Sequence, residues 1–144
     1  MGRRALHVTR VAGDEPAVVA NATFHVWCAT AAAGGAATIT LAYTNPTGVA
    51  AAVSVADVAD APRVEYVLTA TAMPAPPGGA APPASLTNDT AYLNGVLLTV
   101  GADGVLPAYP IPGRSVAAGG AAFVAPPWSL GFVTYVGANA PACA

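Results

Sequence analysis

The sequence predicts an all-β domain, an antiparallel β-sandwich of about seven or eight short strands. Three observations lead there. Several segments alternate apolar and polar residues with period two, as a strand with one buried face requires. Turn residues recur between those segments at short intervals. The third is an Asn-Gly pair, Asn94-Gly95, set between apolar runs, which marks a two-residue hairpin because both central residues must take positive φ. The chain has 144 residues, the size of one domain.

The elements follow in order. Ala5-Leu6-His7-Val8-Thr9-Arg10-Val11 reads as a first strand, and a second ends at Cys28. The 36 alanines invite helices over 29–37 and 49–58, but capping signals are weak there and the β-branched residues nearby alternate. Thr38–Tyr43 places Ile39, Leu41 and Tyr43 on one face and Thr38, Thr40 and Ala42 on the other. Asn45-Pro46-Thr47-Gly48 is a tight reversal into a strand over 51–55. Arg63–Thr69 is the next strand. Met73–Ala84 is a Pro/Gly/Ala tract without periodicity, too poor in N–H donors for a ladder and in bulk for a core, and is expected to be a surface loop insert. The hairpin 91–98 and a last strand, Ser129–Val136 with Leu130, Phe132, Thr134 and Val136 on one face, complete the set.

Composition narrows function. Charged residues make up 8% of the chain, about a third of the usual ~25%, and there is no lysine. Five dispersed arginines (Arg3, Arg4, Arg10, Arg63, Arg114) against seven carboxylates cannot neutralise a run of phosphates, so no nucleic-acid partner is expected. Every long apolar stretch is interrupted by Gly, Pro, Thr or Asn, so no transmembrane segment is expected.

The cysteines, Cys28 and Cys143, have no metal-binding spacing. Their residues alone allow a disulfide or two buried thiols; a disulfide across a loop of about 100 residues stabilises by up to ~4.7 kcal/mol in the chain-entropy account. Two sequons, Asn21-Ala22-Thr23 and Asn88-Asp89-Thr90, offer Asn21 and Asn88 for glycosylation, whereas Asn45-Pro46-Thr47 is blocked by its proline. No apolar leader precedes them. A secreted-looking domain without an export signal is expected to be part of a longer chain.

No catalytic residue is predicted. Glycoside hydrolysis needs two carboxylates flanking one bond. Asp14-Glu15 sits before a proline, Asp57 and Asp60 lie in a connection, Asp89 in a sequon and Asp103 in an Asp-Gly turn. Only Glu65 falls in a strand, where a solvated or arginine-paired role is expected. His25, beside Phe24 and Trp27, is a binding candidate, although a strand histidine more often fills a half-buried place. Trp128, after Pro126-Pro127, suits either a sugar platform or an anchor for the last strand. The pairs Gly34-Gly35, Gly78-Gly79 and Gly119-Gly120 lack the Lys-Ser/Thr of a phosphate loop. No metal and no cofactor are expected.

In order along the chain, five segments resemble the C-terminal β-domain of glycoside hydrolase family 79, the heparanases and plant heparanase-like β-glucuronidases. They are the strand ending in Cys28 with Gly34–Asn45, then Arg63–Ala70, Leu93–Leu98 followed by Leu106-Pro107, Val124–Val133, and the ending Asn139–Ala144. Met1-Gly2 looks like an internal junction between barrel and sandwich. Trp27, where plant members commonly have histidine, and the length of the 73–84 insert depart from the pattern. The resemblance implies a disulfide joining Cys28 to Cys143 and a domain spanning 1–144. It also implies a non-catalytic sandwich partnered with a (β/α)8 barrel that holds the catalytic glutamates and acts on glucuronide-containing glycans. No position here matches those glutamates. Glycans remain a candidate partner. The implied location is secreted: extracellular space or cell wall, or lysosome or vacuole, with membrane association among the family's outcomes. The rival expectation is a free-standing secreted carbohydrate-binding or adhesion sandwich.

Overall fold

A computed structural model describes residues 4–6, 21–29, 38–55, 58, 60–70, 90–102, 104–105 and 112–138. The expected strand residues 7–11, the 73–84 insert, Asn88, Cys143, and the carboxylates Asp14, Glu15, Asp57, Asp89 and Asp103 lie outside them.

The fold is all-β, and its strands pair antiparallel in two sheets. Ten strands are described: β1 Arg4–Leu6, β2 Thr23–Ala29, β3 Thr38–Asn45, β4 Ala51–Val53, β5 Arg63–Thr69, β6 Ala91–Leu93, β7 Val96–Leu98, β8 Arg114–Val116, β9 Phe123–Ala125 and β10 Ser129–Tyr135. The large sheet runs β1-β2-β3-β10-β5-β6-β7, with β8 also paired to β5, and β4 and β9 form the small sheet. The last described strand, β10, therefore lies between β3 and β5 within the large sheet.

Register explains the core. On the inner face of the large sheet one row reads Val26, Leu41, Val133, Glu65, and the next Cys28, Ile39, Tyr135, Arg63. Two further rows, Phe24, Tyr43, Gly131, Val67 and Asn45, Ser129, Thr69, complete that face. The small sheet covers it with Ala51, Phe123 and Ala125, the ring of Phe123 meeting Tyr43 edge-on at 5.2 Å between centroids, a favoured aromatic geometry. This is the sandwich arrangement, two sheets sharing one apolar layer.

Two loci show why these residues form these elements. Asn94 and Gly95 have φ of 50° and 82°, the left-handed pair a type I′ turn needs. Gly131 sits where β10 passes against β5 and under the Tyr43 ring. A Cβ there would lie 2.1 Å from the Tyr66 carbonyl oxygen, so only glycine fits.

The face expected to gather Leu130, Phe132 and Thr134 does so, but it is the outer one: Leu130 is 40% and Phe132 49% exposed, while Ser129, Gly131, Val133 and Tyr135 are buried. Val136 is exposed in the turn after β10. The strand expected over 51–55 is shorter, ending at Val53.

Candidate functional site

Two places on the large sheet gather chemistry-bearing side chains. The first lies inside. Glu65 is fully buried on β5, and two arginines close on its carboxylate. Arg63 Nε donates to Oε1 at 2.7 Å, with Arg63 itself 4% exposed. Arg114, opposite Glu65 on β8, donates through Nε to Oε2 at 2.9 Å and places Nη2 2.6 Å from that oxygen, while its side chain is 68% exposed. The remaining fork of Arg63 donates from Nη2 to the Ala121 carbonyl at 2.6 Å. The expected arginine pairing of Glu65 is thus present, in a buried rather than solvated setting.

This is a closed ion cluster: Oε1 accepts from Arg63 and Oε2 from Arg114, so both carboxylate oxygens are engaged by guanidinium groups. Among the described residues the other carboxylate is Asp60, exposed in a turn. No described group of three or more His, Cys, Asp or Glu is placed to hold a metal ion. Tyr43 stands nearby. Burial first, with the Glu65 charge adding, pushes its phenol up to about 12, against an opposing pull from the neighbouring Ser129. That serine directs its proton to the Pro126 carbonyl at 2.6 Å, and among the described residues the Tyr43 hydroxyl reaches no partner of acceptable hydrogen-bond geometry. The Tyr135 phenol is likewise raised, by burial above all. Both are neutral phenols around pH 7.

Asn94 extends the cluster toward the hairpin. On one side β5 is paired by β8 at residues 63–65 and by β6 at 68–69. The Asn94 side chain bridges the interval: Oδ1 accepts from Val67 N at 2.9 Å, Nδ2 donates to Glu65 O at 3.0 Å, and its own N–H donates to Val67 O at 2.8 Å. Sequence reasoning read Asn94 as a turn residue alone. Its ladder role carries no sequence signal beyond the Asn itself. A second asparagine, Asn45, ties the end of β3 to that of β9, donating from Nδ2 to Pro126 O at 2.8 Å and Ala125 O at 3.2 Å, while Thr47 Oγ1 donates to Asn45 Oδ1 at 2.7 Å.

The second place is the outer face of the same sheet. One row across four strands reads His25, Ala42, Phe132, Tyr66, flanked by Thr23, Thr44, Leu130, Leu68 and by Trp27, Thr40, Thr134, Val64. His25 and Trp27 stack at 6.1 Å with their planes 21° apart. His25 is exposed rather than filling a half-buried place. Trp128 is not on this face. It is half-buried in the turn before β10 at φ 50°, its indole beside Gly48, and its backbone N–H donates to the Thr47 carbonyl at 3.0 Å. It holds two loops together at the sandwich end, outside the buried layer.

Of the remaining expected sites, Cys28 is buried on β2 and disulfide-bonded. Asn21 is exposed immediately before β2. No helix among the described residues is long and apolar enough to cross a membrane. No protein-family model matches the chain, and no curated protein matches it either.

Proposed function

We propose that this chain is a non-catalytic β-sandwich domain of a heparanase-like β-glucuronidase, a glycosidase acting on glucuronide-containing glycans. The observation that carries the reading is the ordered set of family 79-like segments. Their most distinctive members fall on positions with physical work in the fold: Arg63 and Glu65 in the buried ion cluster and Asn94-Gly95 in the bridging hairpin. In this role the domain packs against a (β/α)8 barrel that supplies both catalytic carboxylates. Its own strand carboxylate, Glu65, is committed to two arginines. The same reading pairs Cys28 with Cys143, places glycans on Asn21 and Asn88, and assigns a secreted or vacuolar location.

Full-length sequencing of the transcript tests it. A reading frame continuing upstream of Met1 into a barrel-sized segment of roughly 250 residues is the expected result. An in-frame stop close upstream, with no barrel coding segment, would overturn the reading.

A further inference from the structure

We propose that the outer face of the large sheet is a binding surface for a neutral glycan chain, seated across β2, β3, β10 and β5. Four aromatic or imidazole rings stand on that face: His25 and Trp27 on β2, Phe132 on β10 and Tyr66 on β5. Phe132 and Tyr66 are 49% and 36% exposed. Ala42 and Thr40 lie between the β2 pair and Phe132, so small side chains floor the middle of the surface. The four strands span three inter-strand intervals, about 14 Å, the reach of a short oligosaccharide.

The chemistry selects the occupant. A pyranose presents an apolar C–H face and a rim of hydroxyls, so it is matched by rings interleaved with small hydroxyl side chains. Thr40 and Thr134 supply such hydroxyls in the middle of the face, while those of Thr23 and Thr44 hydrogen-bond to each other at its edge. The described residues of this face include no Asp, Glu, Lys or Arg; the charges of β5 point inward. Among the described residues no Arg or Lys stands on this face to meet a carboxylate or sulfate, so it suits an uncharged chain. The proposal is independent of the glycosidase reading, whose glucuronide substrate would belong to the barrel.

Affinity electrophoresis of the full 144-residue chain through gels containing a soluble neutral β-glucan, or heparin, tests it. The expected result is retardation by the glucan and none by heparin. Phe132→Ala, at an exposed position, should weaken glucan binding about tenfold, the effect of removing a central aromatic anchor. Val124→Ser, on the outward side of the small sheet, should leave it unchanged. In a Trp128→Phe variant, Trp27 is the sole indole, and its fluorescence should change as glucan is added. Absence of retardation by the glucan, equal losses in Phe132→Ala and Val124→Ser, or stronger retardation by heparin would each overturn the proposal. A circular-dichroism melt of each variant separates loss of binding from loss of fold.

Discussion

Replacing Glu65 with alanine should destabilise the fold more than any other single charge deletion among the described residues. The carboxylate is fully buried, and its removal strands Arg63, 4% exposed, with the Ala121 carbonyl as its remaining described acceptor. Breaking a buried pair by removing one partner costs about 3–5 kcal/mol, because the remaining charge is left uncompensated. Arg114 differs. Its side chain is 68% exposed and recovers water when the pair is broken, so Arg114→Ala should cost about 1 kcal/mol or less. The double replacement Arg63→Met with Glu65→Leu removes both buried charges and should lie within roughly 2 kcal/mol of the parent, since well-packed apolar substitutes commonly match a buried pair. Urea unfolding followed by fluorescence gives each value from the midpoint at constant slope. The reasoning fails if Glu65→Ala costs no more than Arg114→Ala, or if the double variant is as unstable as Glu65→Ala.

Other outcomes follow from neighbouring geometry. Asn94→Ala should cost about 1–3 kcal/mol by leaving Val67 N and Glu65 O unpaired, and Asn94→Gly, which keeps the positive φ, should recover only the backbone part; hydrogen exchange at Val67 reports the loss directly. Gly131→Ala should be strongly destabilising in thermal unfolding, because its Cβ meets the Tyr66 backbone and not a movable side chain. Tyr43, raised from 10.0 to about 12, binds its proton more tightly folded than unfolded. Its contribution is therefore fully present below pH 10.0 and declines as pH rises from 10.0 toward 12; stability measured across that window should fall, and Tyr43→Phe should flatten the slope. Peptide mass spectrometry without reduction should find Cys28 linked to Cys143, and two alkylatable thiols would refute that pairing.

The pattern of residues made some parts of this structure readable and hid others for physical reasons. Asn94-Gly95 announces its hairpin because few residue pairs tolerate two positive φ values. Thr38–Tyr43 reads cleanly because this part of β3 turns Ile39, Leu41 and Tyr43 inward and the small Thr38, Thr40 and Ala42 outward. β10 is ambiguous, since its larger apolar residues, Leu130 and Phe132, point outward while glycine and serine occupy inner positions. That inversion depends on Gly131 admitting the Tyr43 ring and the Tyr66 backbone, a contact between segments far apart in sequence. β8 and β9 escape notice because three residues carry no period, and with β8 went the second arginine on Glu65. His25 was legible as a candidate but its stacking on Trp27 was not, since residues two apart on a strand share a face only once the strand is known.

The most direct test of the functional account is capture of the endogenous protein under native conditions with an antibody raised against this sandwich, followed by assay of the captured material on a chromogenic β-glucuronide. The account predicts that glucuronidase activity is captured and that the assembly far exceeds the 14.0 kDa of this chain. A 14.0 kDa species without accompanying activity would contradict it.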